Sequence, residues 1–263
     1  GVRSFTRIAL ATLVVLMVCM FMLLAAVYSL SFGKNNFQNT NWVFALRFDF
    51  LEIFNKMLIG SYDTVRPEGL PMIYSGMLAL IGLPMFYMAP SVKPAKKIGA
   101  TVVLLVLILS FAINPVDLVW HGFNLPNWLN FRYSFVFSFF VISLTADALV
   151  DAKNIKIGNI AAVGGVLLAL VAIVQNIKYH INPVQTEFSK ADEKNLTSIL
   201  LSVVFIVAYM IVMYLVTNKK LESAGSFMLA ALVCVEMFAG GLINLADVTR
   251  DVGMVKYDSF VES

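Results

Sequence analysis

Residues 8–30 read IALATLVVLMVCMFMLLAAVYSL, 23 positions in a row without a charge. In a helix rising about 1.5 Å per residue, roughly 20 apolar residues cross the ~30 Å hydrocarbon core of a bilayer. Arg3 and Arg7 precede the run as they would in a secretory signal. A signal's apolar stretch covers only about 7–15 residues, however, so this one reads as a spanning helix. The rest of the chain agrees. Of its 263 residues 60% are hydrophobic and 13% charged, against roughly half and a quarter in a soluble domain. Mean hydropathy is +0.84. The fold class expected is all-α: a polytopic transmembrane helical bundle.

About seven spans are expected, near 8–30, 70–89, 98–114, 131–150, 157–176, 196–216 and 225–246. Together they make one transmembrane module over residues 1–263. The chain opens on Gly1 rather than Met, so it is read as the later part of a longer membrane protein. The third span meets Asn114-Pro115. Proline lacks an N–H and disfavours a helical residue before it, so a stop or kink is expected there.

Lys and Arg give the orientation. Arg3, Arg7, Lys93, Lys96, Lys97, Lys153, Lys156, Lys219 and Lys220 fall in alternate short segments, with only Asp147, Asp151 and Glu222 near them. The other ten cations share the remaining segments with 13 of the 16 acids. The basic side is therefore expected in the cytoplasm, with the N-terminus inside and the C-terminus outside. Outside lies 42–60, WVFALRFDFLEIFNKMLIG, where Val43, Leu46, Phe50, Phe54 and Met57 recur at helical spacing. An external interfacial helix over about 42–58 is expected, the alternative being a helix packed on the bundle. The loop 177–195 is polar and reads as a solvated connector. Asn195-Leu-Thr197 matches the short glycosylation pattern, which is weak on its own.

Several functions are excluded by what is missing. There is no P-loop, GxSxG, zinc spacing or internal repeat, and no basic, aromatic-interleaved face for nucleic acid. Cys19 and Cys234 sit in apolar helices and read as small core residues, not as a disulfide or metal pair. No metal and no cofactor is expected.

The polar content concentrates in WHGFNLPNWLNFRYSF, residues 120–135, which joins the third and fourth spans on the external side. Trp120, Phe123, Trp128 and Phe131 suit the headgroup level. An aromatic belt does not require His121, Asn124, Asn127, Asn130 and Arg132 beside it. Arg132 opens a helix whose next cation is Lys153; it can snorkel to headgroups or grip a phosphate with its two-pronged guanidinium. The asparagine amides can bond sugar hydroxyls or cap turns. Glu236 lies within the last span, with Gly240, Asn244 and Asp247 on its face at helical spacing. That face is expected to point inward, where Glu236 could bond another helix, pair with Arg132 or line a cavity.

This loop, with GLPMIYSGMLAL (69–80) before it and VEMFAGGLINLADV (235–248) after it, resembles the YfhO family of large bacterial membrane proteins. The order also fits: IGSYDTVRPEGLPMIYSG, a basic turn SVKPAKK, a short span ending in proline, then WHGFNLPN and FRYSFVFSF. The resemblance covers about residues 42–258. It implies a GT-C-type glycosyltransferase in the bacterial plasma membrane, moving a sugar from a polyprenyl-phosphate carrier to an external cell-wall polymer such as lipoteichoic acid. Membrane lipid, that donor and that acceptor are the implied partners. Such enzymes keep the catalytic carboxylate in the first external loop, so this chain, read as starting several spans later, would lack it, and no catalytic residue is assigned. Arg132 is then the first candidate for the donor phosphate, His121 the second and Arg66 the third. Tyr74 could stack on or bond a sugar, or sit in the belt. Gly76 and Gly82 would let spans approach closely around a prenyl groove. Two other readings stay open: a transporter or flippase of lipid-linked sugars, and a membrane scaffold.

Overall fold

The computed structural model describes residues 2–33, 42–44, 46, 50–61, 69–123, 126, 129–150, 152–176, 188–218 and 221–252. Among them the chain is helical: α1 (Val2–Gly33), α2 (Phe50–Asn55), α3 (Met77–Met88), α4 (Pro94–Ala112), α5 (Asn114–Trp120), α6 (Ser134–Val150), α7 (Ile157–Asn176), α8 (Phe188–Thr217) and α9 (Glu222–Val252). Five of these are long and apolar enough to cross a membrane: α1, α4, α7, α8 and α9. α3 and α6 are shorter apolar helices. The chain is an all-α polytopic bundle.

Buried positions recur every three or four residues, the spacing that puts side chains on one helix face. Met77, Ile81 and Met85 form such a stripe on α3; Phe137, Val141, Leu144 and Ala148 on α6; Val163, Leu167, Val171 and Val174 on α7; Ile206, Tyr209, Met213 and Val216 on α8. α3 is the hub, packing against α6, α7 and α8, and the order then continues α7–α8–α9. Without a water-driven force between apolar helices in lipid, small residues set how closely they approach. A Cβ on Gly82 would fall inside contact distance of Thr145 on α6, and one on Gly164 would run into Met210 on α8. α1 differs: Phe5–Met22 is exposed on every side, an apolar surface all round.

Three expectations need correcting. The stretch 42–58 is not one interfacial helix. Trp42–Phe44 is non-helical, Leu46 makes a single bridge to Ile113, and α2 spans only Phe50–Asn55. Ile53 and Asn55–Ile59 are buried, so this segment packs into the bundle. Its tail is pinned to α8: Ser202 Oγ accepts from the Ile59 N–H at 3.3 Å, and Ser198 Oγ donates to the Ile59 carbonyl. Second, residues 69–76 are non-helical, so the second expected span starts as a helix only at Met77. Gly69, Pro71 and Ile73 are buried, the condition under which irregular backbone is tolerated at membrane depth. Third, residues 188–195 of the expected connector 177–195 are helix, because α8 begins at Phe188; residues 177–187 lie outside the described ones.

Asn114-Pro115 does interrupt the third span. α4 stops at Ala112, and Pro115 then sits in the first turn of α5, where its missing N–H costs no helical bond. At the opposite end of the bundle Lys96 Nζ lies 2.7 Å from Asp147 Oδ2, and Lys97 Nζ donates to the Ala89 carbonyl at 2.9 Å. The basic segments at this end thus tie the α3–α4 turn and the foot of α6 together.

Candidate functional site

Glu236 is 2% exposed on α9, and three donors converge on it. Oε1 accepts from Tyr74 Oη at 2.5 Å and from the Met77 backbone N–H at 2.6 Å; Oε2 accepts from Tyr209 Oη at 2.5 Å. Met77 is the first residue of α3, and the first four N–H groups of any helix lack intrahelical partners. A Ser, Thr, Asp or Asn at the N-cap usually supplies one acceptor. Here the N-cap is Gly76, with no side chain and φ of 92°, and the acceptor arrives from α9. The carboxylate also sits where the positive end of the helix dipole favours negative charge. Glycine suits both demands at 76: its φ lies in the left-handed half of the map, and a Cβ there would stand 3.6 Å from Glu236 Oε2. One turn along α9, Gly240 leaves room for the Tyr74 ring.

The face read from the sequence is therefore inward. Glu236, Gly240 and Asp247 are buried and Asn244 is half-buried with its Oδ1 making no hydrogen bond. Of the roles left open for Glu236, the structure shows the bond to other helices: its partners are two tyrosines and a backbone amide, not Arg132. Tyr74 is likewise committed to Glu236 and does not stand free in an aromatic belt.

The second polar cluster surrounds His121, at the C-terminal end of α5. Asp117, one turn earlier on α5, is fully buried, and its Oδ1 lies 3.4 Å from His121 Nε2. The two side chains are 1% and 8% exposed. Nε2 completes no hydrogen bond, so the imidazole is aimed at the carboxylate without being bonded to it. Tyr133 Oη lies 2.8 Å from the same Oδ1 and 2.7 Å from the Ser110 carbonyl, so its one proton is shared between α4 and α5. Trp120 and Phe111 both stack on the Tyr133 ring, with centroids at 4.7 Å and 5.3 Å. Trp120 Nε1 donates to Ser110 Oγ at 3.0 Å. Aromatic packing and two polar anchors thus tie Trp120 and Tyr133 to α4.

Its backbone is strained. Phe123, Leu129 and Phe131 have φ of 63°, 55° and 52°. Bulky residues rarely adopt this region, and each instance costs on the order of 1–3 kcal/mol unless the surroundings enforce it. Phe131, 2% exposed and edge-on to Phe111, shows what enforces it. The turn then releases Arg132 to an exposed position between two buried rings, Phe131 and Tyr133.

The structure thus brings together Tyr74 with Glu236 and His121 with Tyr133, the residue that follows the exposed Arg132. Asn124, Asn127 and Arg66 lie outside the described residues. Asp117, Tyr133 and Tyr209 were not anticipated. Asp117 carried a signal: an acid four residues before a histidine, just after a helix-starting proline. Tyr209 carried none, being one aromatic among many in an apolar helix. Among the described residues no three or more His, Cys, Asp or Glu side chains are grouped to hold a metal ion.

The family model for the bacterial membrane protein YfhO matches residues 2–260. No curated protein and no solved structure matches the chain.

Proposed function

The chain belongs to the YfhO family of bacterial membrane proteins, and on that premise we propose that it is the transmembrane part of a GT-C-like glycosyltransferase. The reaction moves a sugar from a polyprenyl-phosphate carrier to a cell-wall polymer such as lipoteichoic acid, outside the plasma membrane. The end carrying α5 and the 121–133 connection faces outward in this reading, and the lysine-rich end faces the cytoplasm.

One observation supports the reading: Arg132 is exposed and directly precedes Tyr133, whose buried ring packs against the imidazole of His121. In the transfer an acceptor oxygen bonds the anomeric carbon and the bond from that carbon to the phosphate oxygen breaks. Charge then grows on the departing phosphate, where a fixed guanidinium stabilises it more than it stabilised the bound donor. Below the connection, the outer faces of α4 (Val102, Val103, Val106, Leu109) and α6 (Phe135, Phe139, Ile142) are exposed and apolar, a surface for the prenyl chain. No described carboxylate is assigned as the base: Glu236 is occupied by three donors, and Asp117 lies behind His121 and Tyr133.

The test is transfer of labelled sugar from a polyprenyl-phosphate donor by the full-length protein, with Arg132→Ala at matched expression. Removing a transition-state donor lowers turnover about 100-fold or more. Transfer by the variant at the wild-type rate would overturn the phosphate role. The buried polar face of α9 supports a second reading, a flippase of lipid-linked sugars. Movement of such a lipid across vesicle membranes, with no transfer from any donor, would put that reading first.

A further inference from the structure

We propose that the aromatic patch formed where the segment carrying Trp42 and Leu46 meets both ends of α5 is a membrane-insertion surface, its rings seated at the acyl–headgroup boundary of the nearer leaflet. The patch is held at the end of a span. α4 is long and apolar enough to cross a bilayer, and its exposed apolar side runs through Val102 and Val106 to Leu109. In the last turn of α4, Ser110 Oγ accepts from Trp120 Nε1, which folds the far end of α5 back to that level. Leu46 bridges to Ile113, the residue that closes α4 and caps the start of α5. The Trp42 ring lies 6.0 Å from the ring of Phe123, just past the end of α5. Trp42, Phe44, Leu46, Val119, Trp120 and Phe123 are all exposed. Rings with an apolar body and a polar edge concentrate where hydrocarbon meets water, and tryptophan does so most clearly.

Backbone strain separates this surface from a solvated loop. α5 ends on Gly122, whose φ of 62° is ordinary for glycine, with the Phe123 N–H on the Leu118 carbonyl at 2.8 Å. That cap needs one left-handed residue. Phe123 is a second, and Leu129 on the same connection is a third. Phe131 shares the conformation, but its ring is buried against Phe111. Phe123 and Leu129 are 53% and 51% exposed, so burial inside the protein does not offset their strain. Moving a large apolar side chain out of water does offset it, and lipid provides that at the end of a span. Among the described residues of the patch none presents an exposed charge: Asp117, the acid of α5, is fully buried. An exposed apolar patch marks contact with a membrane or with protein. Its continuity with the side of α4 that ends at Leu109 and Ile113 assigns this one to lipid. The assignment rests on the chain spanning a membrane and not on the transfer reading above.

The experiment uses the full-length protein in nanodiscs of phosphatidylethanolamine and phosphatidylglycerol, with its native cysteines replaced by serine. A nitroxide is attached at Trp42→Cys, at Phe123→Cys and, as an aqueous reference at the opposite end of the bundle, at Lys93→Cys. Collisions with oxygen, which concentrates in hydrocarbon, are compared with collisions with a water-soluble nickel chelate. The oxygen-to-nickel ratio is expected to be severalfold higher at 42 and 123 than at 93. Ratios at 42 and 123 equal to that at 93 place the patch in water and overturn the proposal. Shielding of both positions from both reagents also overturns it, because the patch is then covered by protein. Cysteine removes a ring at each position, so a second measurement keeps one: p-benzoyl-phenylalanine is placed at 42 or at 123 and irradiated in the same nanodiscs. Adducts whose added mass is that of a phospholipid are expected. Adducts to protein alone overturn the proposal and make the patch a protein interface.

Discussion

Replacing Glu236 by alanine strands three donors at once: the hydroxyls of Tyr74 and Tyr209 and the N–H of Met77. A buried donor left without an acceptor costs about 1–3 kcal/mol, so three cost about 3–9 kcal/mol before relaxation. Local movement and entry of water favour the lower half, about 3–5 kcal/mol. At about 2–4 °C per kcal/mol for a chain of this size, thermal unfolding in one fixed detergent should drop by about 6–20 °C. Glu236→Gln keeps an acceptor at Oε1 and can donate to Tyr209 Oη, so it exchanges charge-assisted bonds for neutral ones and costs about 1–2 kcal/mol. The decisive comparison is a background of Tyr74→Phe with Tyr209→Phe. Only the Met77 N–H then remains to be stranded, so adding Glu236→Ala should cost about a third as much as it does in wild type. An equal cost in both backgrounds, or a wild-type cost under about 1 kcal/mol, would refute the clamp as the reason for burying this carboxylate.

Gly82→Ala should destabilise by about 1–3 kcal/mol, because the new methyl meets the β-branched Thr145, and Thr145→Gly should recover most of the loss in the same unfolding assay. Gly164→Ala should cost less, because what it meets is the flexible end of Met210. Gly76→Ala should lower stability by about 1–3 kcal/mol through its φ of 92°, with no neighbour closer than Glu236 Oε2 at 3.6 Å to blame. Lys96→Ala should change stability by less than about 0.5 kcal/mol, since the pair with Asp147 is 54% and 39% exposed.

Much of this was legible in the residues because apolar helices announce themselves by length and by spacing. The α9 face of Glu236, Gly240 and Asp247 follows from a 3.6-residue repeat, and the break at Asn114-Pro115 from proline's missing donor. What could not be read were the places where a distant side chain overrides local pattern. GLPMIYSGMLAL is uncharged and leads into an apolar helix, yet it stays non-helical up to Gly76, and the acceptor for the α3 N-terminus comes from α9. The 42–58 stretch has helical spacing, yet among its described residues only Phe50–Asn55 is helix, and Ser198 and Ser202 of α8 hold the backbone around Ile59 just beyond it. Asp117 escaped for a different reason: its role depends on Tyr133, whose approach is set by stacking with Trp120 and Phe111.

The acceptor for the α3 N-terminus lies 159 residues downstream of the N–H it serves. At roughly 5–20 residues per second, that acceptor leaves the ribosome roughly 8–32 s after Met77 does. Throughout that interval Tyr74 and the start of α3 are in the bilayer or its insertion machinery with their final partner unmade. The chain should therefore be most vulnerable to quality-control proteases while α9 is still being synthesised. Arrest of translation before residue 236 should yield products degraded faster than those arrested beyond it.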